Sequence, residues 1–177
     1  MIHDQHPFLP PEPERDPIRR FRGRLTSPVT LWTAVHEDRR AGLPVSSLSV
    51  VEGPHGHIVG AIDPDSELWS LLSNTGRFAI AVLSWQHRGL AAAFAGADPA
   101  PGGPFRLSGW LETDWGPVPD TVVSWAGCTL VGTQPLGWSM LVTARLEHVE
   151  LGEESDAPGQ AALAHRRGRY FPVPPDR

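Results

Sequence analysis

Three serines lie close together in the segment GLPVSSLSVVEGP at residues 42–54. Ser46, Ser47 and Ser49 stand among valines and a leucine, in a stretch that predicts a β-strand. Small hydroxyl side chains leave the backbone open to a polar ligand and add hydrogen-bond donors. Polar residues can equally serve to blunt an exposed sheet edge. The residues by themselves leave both interpretations open.

The segment DPDSELWSLLSNTG at residues 63–76 predicts a helix, with Asp65 or Ser66 as its N-cap and Gly76 at its end. A helix N-terminus attracts anions, so Ser66 could contact a phosphate group. The carboxylates of Asp65 and Glu67 stand at the same terminus and would repel that phosphate. Ser66 is interpreted at least as well as a plain N-cap.

Metal and thiol chemistry have little support. His55 and His57 would share one face of a strand, but no third ligand has a suitable spacing, so we predict no metal site. Cys128 is the single cysteine, which excludes an internal disulfide or a multi-cysteine cluster. Neither a GxGxxG nor a GxxxxGK[ST] motif is present, so Rossmann or P-loop nucleotide binding is not predicted.

The chain of 177 residues has a formal net charge of −5, and its basic residues are all arginine. This charge gives no support for nucleic-acid binding, which usually requires a basic face. The basic stretch RRFRGR at residues 19–24 favours a solvated first element over an anion site. No run of about 18 apolar residues and no apolar signal-peptide core is seen, so we expect a soluble cytoplasmic protein without membrane contact.

The elements that would position these side chains are mostly strands. Five prolines predict a flexible arm over residues 1–17, which leaves residues 18–173 as one domain. A hairpin loop with Gly42 at positive φ is predicted over residues 39–43. Helices are predicted over 63–76 and 84–96, and a short tail over 163–173. Strands are predicted over 27–38, 44–51, 56–64, 77–83, 105–112, 124–137 and 138–151. Because strands and helices do not alternate throughout, we predict a small β-barrel with two helical insertions.

The order of these elements resembles the flavin reductase-like family, over about residues 20–173. The resemblance is carried by PVTLWTAV, GLPVSSLSVV, IDPDS, GRFAIAVLSWQHRGLAAAFAG and AHRRGRYFPV, in that order. Ser46 and Ser47 match the serine-containing strand of the family, and His165 and Tyr170 match its closing motif. Three departures stand out. Pro44 replaces a threonine, EGPHGH replaces a double proline, and Ala81 replaces an asparagine.

The resemblance implies a mainly β fold with short helices, namely a split barrel of the Greek-key, FMN-binding type. It implies FMN or FAD as the cofactor, NAD(P)H as co-substrate, hydride transfer to flavin, and a monooxygenase that receives the reduced flavin. It also implies a homodimer, with the hydrophobic strands 124–131 and 138–146 as contributors. His165 and Tyr170 are the candidate catalytic residues and would shape the nicotinamide site, although Tyr170 could instead anchor the C-terminus. The expected cofactor-binding residues are Val45, Ser46, Ser47, Leu48, Asp63, Ser66, Trp85, Gln86 and Trp32.

An alternative function belongs to another class. The chain could bind a flavin or a deazaflavin without flavin reductase turnover, as a carrier, a sensor or an oxidoreductase on another small molecule. Pro44 and Ala81 favour this alternative slightly, because each removes a polar group that the family carries.

Overall fold

The computed structural model describes residues 16–153 and 159–173. Within these ranges the helices are α1 (Pro17–Arg22), α2 (Glu67–Thr75) and α3 (Arg88–Phe94). The strands are β1 (Ser27–Pro28), β2 (Thr30–His36), β3 (Arg39–Val45), β4 (Leu48–Val51), β5 (His57–Ile62), β6 (Arg77–Val82), β7 (Trp110–Leu111), β8 (Val118–Pro119), β9 (Trp125–Leu136), β10 (Ser139–Glu150), β11 (Ala162–Arg166) and β12 (Arg169–Val173). None of these helices is long and apolar enough to span a membrane.

Seven antiparallel strands form one curled sheet, in the order β3-β2-β6-β9-β10-β5-β4. The outermost strands, β3 and β4, are consecutive in sequence and are joined by Ser46 and Ser47 alone. A flat sheet of this size would separate its edges by about 29 Å, whereas this connection spans at most about 10 Å. The sheet must therefore curl until its edges meet at the two serines, which gives the predicted mainly β split barrel.

Hydrophobic clusters lie on both faces of the sheet. Leu31 and Trp32 are neighbours on β2, so the alternation of strand side chains sends them to opposite faces. Trp32 packs on the face covered by α2, where its ring stacks on Phe78 with centroids 4.8 Å apart. Leu31 packs on the face covered by α3, against Leu163 of β11. The sheet thus packs between α2 and α3, which are the two predicted helical insertions.

A second sheet has three strands in the order β1-β11-β12, and the predicted C-terminal tail supplies β11 and β12. It joins the barrel through backbone hydrogen bonds among Val29, Leu83 and Leu163: Val29 donates to Leu163, Leu83 to Val29, and Leu163 to Leu83, at 2.9–3.2 Å. The turn between β11 and β12 places Arg167 and Gly168 at φ of 51° and 78°. The tail is therefore an ordered hairpin, attached to the barrel where β2 begins and β6 ends.

The first hairpin corrects the predicted loop over residues 39–43. The turn is Glu37–Asp38, with Glu37 at a φ of 53°, and β3 already begins at Arg39. Gly42 lies inside β3, where a Cβ atom would come within 2.7 Å of the Phe94 ring. The glycine permits α3 to pack closely, and no turn requires it.

Other element predictions are confirmed or corrected locally. The helix over 63–76 is confirmed as α2, with Ser66 as N-cap and Gly76 at a φ of 67°. The strand over 44–51 is interrupted at the two serines. The segment predicted as a strand over 105–112 begins within a short 3₁₀ helix, Pro104–Leu107, and contains only the two-residue strand β7. The Trp110 indole N–H donates to the Phe105 carbonyl at 2.7 Å.

Two further predictions concern the N-terminal arm and the second helix. The arm over 1–17 lies outside the described residues except for Asp16 and Pro17, which cap and begin α1. The helix over 84–96 starts as a 3₁₀ turn, Trp85–His87, and continues as α3.

Candidate active site

A cleft of about 290 Å³ opens at the corner between β3 and β4. Three of the predicted cofactor-binding residues, Ser46, Ser47 and Leu48, line it. The other lining residues are Ser27, Ser49, Val59, Gly60, Ala61 and Leu141. We call this the serine cleft. Hydroxyl groups and the backbone of β5 dominate its wall, as a polar ligand with an extended edge would require.

The hydroxyl groups of the serine cleft are of two kinds. Ser47 Oγ donates to the carbonyl of Ala61 at 2.7 Å, and the amide of Ala61 donates to the carbonyl of Ser47 at 3.0 Å. The hydroxyls of Ser27, Ser46 and Ser49 form no hydrogen bond with another described residue. Ser47 therefore fastens the corner to β5, while three further hydroxyls remain available to a ligand.

The floor of the serine cleft depends on Gly60. A Cβ atom at this position would lie 2.6 Å from the Trp32 ring and 3.3 Å from the carbonyl oxygen of Ser47. Trp32 is 0% exposed, and its indole N–H donates to Thr30 Oγ1 at 3.0 Å. Trp32 lies under Gly60 and is not one of the residues that line the cleft, so its contact with a bound ring stays a prediction. It supports the cleft from beneath.

Val45 has a similar supporting role. Its side chain is buried, and its carbonyl accepts a hydrogen bond of 2.8 Å from the hydroxyl of Thr30. This bond holds the end of β3 against β2 immediately before the corner. Among the predicted residues of this segment, Val45 stiffens the corner, and the serines and Leu48 form the cleft.

Asp63 and Ser66 form the turn that begins α2 and do not line the serine cleft. Ser66 Oγ donates to the carbonyl of Asp63 at 2.7 Å and accepts from the amide of Trp69 at 3.2 Å. The Asp63 carboxylate accepts from the amide of Asp65 at 2.9 Å. Because these groups are occupied by the turn, the N-cap interpretation of Ser66 describes what is observed.

His165 and Tyr170 are brought together as direct partners across β11 and β12. Their rings meet edge to face, with centroids 5.6 Å apart. His165 also lies opposite Ser27 of β1, so the cleft and the ring pair meet at adjacent strands. Burial, with a contribution from the positive charge of Arg22, lowers the pKa of His165. Burial, with a contribution from Asp98, raises the pKa of Tyr170, so the pair stays uncharged near neutral pH.

Trp85 and Gln86 do not line the serine cleft. Their backbone amides donate to Ala161 at 2.7 Å and to Gly159 at 2.9 Å, which attaches the 3₁₀ turn to the C-terminal segment. Gln86 lines a second cavity, of about 340 Å³, together with Leu90, Leu107, Ser108, Gly109, Asp120, Thr121 and His87. The two cavities share no lining residue, so the chain does not bring these two predicted residues to the serine cleft.

His87 is the most buried polar group of this second cavity. Its Nδ1 atom accepts from the amide of Ser84 at 3.1 Å, so Nε2 carries the proton and donates to Thr121 Oγ1 at 3.1 Å. Burial lowers the pKa of His87, although the bond with Ser84 opposes the shift. The uncharged side chain of His87 therefore links the 3₁₀ turn to the loop that follows β8.

Sequence reasoning missed several cleft residues. Gly60 interrupts the apolar strand HIVGAI, and a glycine inside a strand is a recognised sign of close backbone approach. Ser27 carried no such signal, because it is distant in sequence from the other serines. Ser49 was noted with the other two serines but was not among the expected cofactor-binding residues, and Val59, Ala61 and Leu141 were not anticipated. Among the described residues, no group of three or more His, Cys, Asp or Glu side chains is placed to hold a metal ion.

Comparison with known proteins identifies the class to which this site and fold belong. A model of the family described as "Flavin reductase like domain" matches residues 22–174. The chain belongs to this family. It is 27% identical over 157 residues to a flavin reductase of Pseudomonas putida, with 86% of each chain covered. It is 24% identical over 161 residues to the reductase subunit HsaB of a flavin-dependent monooxygenase of Mycobacterium tuberculosis, covering 90% of this chain and 83% of the relative.

Solved structures agree on the fold. A homologue of nitrilotriacetate monooxygenase component B from Mycobacterium thermoresistibile superposes with a TM-score of 0.78 at 23% identity, covering 88% of this chain and 84% of that one. The styrene monooxygenase flavin reductase of Pseudomonas putida S12 gives a TM-score of 0.77 at 18% identity, covering 92% and 100%. The family and fold predicted from the sequence are confirmed, and with them an oxidoreductase that acts on flavin.

Proposed function

We propose that this chain is an NAD(P)H-dependent flavin reductase that holds FMN in the serine cleft. The observation that carries the proposal is the set of three hydroxyls, on Ser27, Ser46 and Ser49, that have no hydrogen-bond partner among the described residues. They surround a cleft whose floor is the backbone of Gly60 and Ala61. A ligand with a polyhydroxyl chain, a phosphate and a planar heteroaromatic edge fits this set of donors.

Different residues of the serine cleft would bind different parts of the flavin. Ser46 and Ser49 would donate to phosphate or ribityl oxygens, and the exposed strand edge would meet the polar rim of the ring. Leu48 and Leu141 supply apolar surface on the same cleft. Bound flavin supplies the hydride-accepting chemistry, which the protein only positions. No side chain of the cleft has to transfer a proton.

The pair of His165 and Tyr170 would shape the place where the nicotinamide docks. The two rings are half-buried, uncharged near neutral pH and adjacent to Ser27. An uncharged aromatic wall can exclude water and orient a planar ring without repelling a cationic nicotinamide product. The alternative, that Tyr170 only anchors the C-terminal hairpin, predicts no change in the Michaelis constant when its hydroxyl is removed.

The family departures at Pro44 and Ala81 do not reach the serine cleft. Ala81 is buried, and Pro44 lies on β3 opposite Leu31. Neither residue lines the cleft among the described residues. This placement favours a working reductase over the alternative of a flavin- or deazaflavin-binding carrier or sensor, because the missing polar groups lie away from the proposed ligand.

The relatives extend the proposal to a partner. Two of them are described as the reductase subunit of a flavin-dependent monooxygenase and as a monooxygenase component. We infer that this chain releases reduced flavin to a separate monooxygenase, in the cytoplasm, where NAD(P)H is available. A partner supplied in this way requires a flavin that dissociates, so FMN, with FAD as the other candidate, would be exchanged at each turnover.

A homodimer would complete the assembly. The β9–β10 hairpin exposes Val131 at 59%, Leu136 at 54% and Trp138 at 98%. β6 pairs with β9 only as far as Thr129, so the outer part of β9 is not paired with it. Apolar residues beside an unpaired strand edge are a feature of surfaces that bind another chain. We propose that a second copy of this chain covers the hairpin.

The test of the proposed function separates binding from turnover. FMN and FAD fluorescence would be titrated with the purified protein, and oxidation of NADH and NADPH would then be followed anaerobically with and without added flavin. Binding together with flavin-dependent oxidation supports the reductase. Binding without oxidation would establish the carrier or sensor alternative, and the absence of flavin binding would overturn both functions.

A further inference from the structure

Seven arginines gather at one corner of the molecule, beside the pair of His165 and Tyr170. We call this group the arginine corner; it consists of Arg19, Arg20, Arg22, Arg24, Arg166, Arg167 and Arg169. Arg19, Arg20 and Arg22 belong to α1, and Arg24 directly follows its C-cap, Gly23. The other three belong to the β11–β12 hairpin. The Arg166 Nε atom donates to the carbonyl of Arg24 at 3.2 Å. A Cβ atom on Gly23 would lie 4.0 Å from Arg167 Cγ, so the two elements are in contact.

Most of the positive charge of the arginine corner is not offset by carboxylates of the described residues. Arginine ion pairs form elsewhere, between Arg40 and Glu112 and between Arg145 and Glu147. Asp16 adjoins the corner, but its carboxylate accepts from the backbone amides of Ile18 and Arg19. Apart from Arg169, which has a further interaction, the arginines of the corner pair with no carboxylate of the described residues. The chain as a whole carries a net charge of −5, so this local positive charge runs against its average.

The arginine corner adjoins His165 and Tyr170, and this position suggests that its ligand takes part in the proposed reductase reaction. Arg166 follows His165 directly, and the charge of Arg22 acts on His165. If the nicotinamide of a dinucleotide lies against His165 and Tyr170, the phosphates of the same molecule would be able to reach these guanidinium groups. The described chain has no glycine-rich phosphate loop of the Rossmann or P-loop kind. Phosphates would therefore have to be bound by side-chain charge.

We propose that the arginine corner binds the phosphate groups of the nicotinamide dinucleotide and gives this reductase a preference for NADPH over NADH. The inference rests on the proposed function, since it extends the same site. A guanidinium group binds phosphate oxygens through two parallel N–H donors, and arginine near the ribose is a known means of accepting the 2′-phosphate. That phosphate carries close to two negative charges at neutral pH, so NADPH gains more from the corner than NADH does.

The experiment measures the binding of NADP⁺ and NAD⁺ to the flavin-free full-length protein by titration calorimetry at low salt. Arg22→Gln, Arg167→Gln and the double variant remove charge without touching the bond of Arg166. Arg39→Gln is the matched control, because Arg39 is also exposed and lies at the opposite end of β2 from Ser27, roughly 20 Å away. FMN titration of every variant reports separately on the serine cleft.

We expect NADP⁺ to bind at least fivefold more tightly than NAD⁺, with the difference shrinking as salt is added. Each single variant should weaken NADP⁺ binding about threefold to fivefold, the upper part of the range for exposed charge pairs, and Arg39→Gln less than twofold. The proposal is overturned by equal affinities for NADP⁺ and NAD⁺, or by a double variant that keeps the parental difference. It is also overturned if inorganic tripolyphosphate binds as tightly as NADP⁺, since the corner would then be a general polyanion surface. Loss of FMN binding in the parent would count against the proposed function alone.

Discussion

The hydroxyl of Ser47 donates a hydrogen bond of 2.7 Å to the carbonyl of Ala61, and the amide of Ala61 returns one of 3.0 Å to the carbonyl of Ser47. This two-way link fastens the corner between β3 and β4 to β5, at the point where the curled sheet closes. Ser47 therefore belongs to the architecture of the serine cleft. Its neighbours Ser46 and Ser49 have the hydroxyls that a ligand can use.

Ser47→Ala should lower the free energy of unfolding by about 1 kcal/mol, the net contribution of one hydrogen bond. The carbonyl of Ala61 would lose the hydroxyl donor and keep only its β-sheet environment. Urea denaturation of the parent and the variant measures the change. An unchanged midpoint would show that the hydroxyl does not stabilise the corner.

Ser46→Ala and Ser49→Ala should weaken flavin binding, each by about fivefold, because each removes about 1 kcal/mol of hydrogen bonding to the ligand. Neither should change the stability of the fold, since neither hydroxyl has a partner among the described residues. Ser70→Ala, on the exposed side of α2, is the control. If FMN binds all three variants as the parent binds it, the serines only blunt a sheet edge.

Gly60→Ala should destabilise the fold by about 1–3 kcal/mol, the usual cost of overpacking, and reduce flavin binding with it. The new methyl group would stand 2.6 Å from the ring of Trp32, which is 0% exposed and stacked on Phe78, so the ring has no space to move. Gly132→Ala is the matched control, because nothing lies within 4 Å of its added Cβ atom. Equal thermal midpoints for the two variants would contradict the predicted clash.

Stability should fall as the pH drops below about 6.5, the ordinary pKa of histidine in an unfolded chain. Burial lowers the pKa of His87 and of His165, so the unfolded state takes up protons before the folded state does. The contribution of these groups is complete above that pH and is lost on acidification. His87→Gln, which keeps an acceptor and a donor, should show a smaller loss of unfolding free energy between pH 7.5 and pH 5 than the parent. His36→Gln, at an exposed position, should retain the parental loss, and a His87→Gln variant that also retained it would contradict the assignment.

Trp138→Glu should shift the protein from dimer to monomer, because it places a charge at the most exposed large side chain of the β9–β10 hairpin. Light scattering should give the parent a mass near twice the 19.3 kDa of one chain. Ile18→Glu, an equally polar change at an exposed residue of α1, should leave that mass unchanged. A parent that is monomeric at micromolar concentration would rule out the proposed homodimer.

Local signals in the sequence were sufficient for the elements whose bonds are local. Ser66 and Gly76 delimit α2 because capping bonds join residues three or four positions apart, so residue type decides them. The hairpin turn at Glu37–Asp38 was misplaced because a glycine further on gave the stronger turn signal. Gly42 is instead needed because the ring of Phe94 packs against it, and the local sequence does not reveal this contact.

The sequence by itself determined the family, the mainly β class and the serines as the place to look for a ligand. Only the tertiary structure decided which hydroxyls remain available. Closure of the sheet gives Ser47 a partner in Ala61, and the pairing of β1 with β11 brings Ser27 opposite His165. Burial of Trp32 was decided in the same way, since alternation along β2 separates two faces but does not show that both are covered, as they are here. These outcomes depend on register and curvature among residues far apart in the chain, and such contacts form only when the whole sheet has closed.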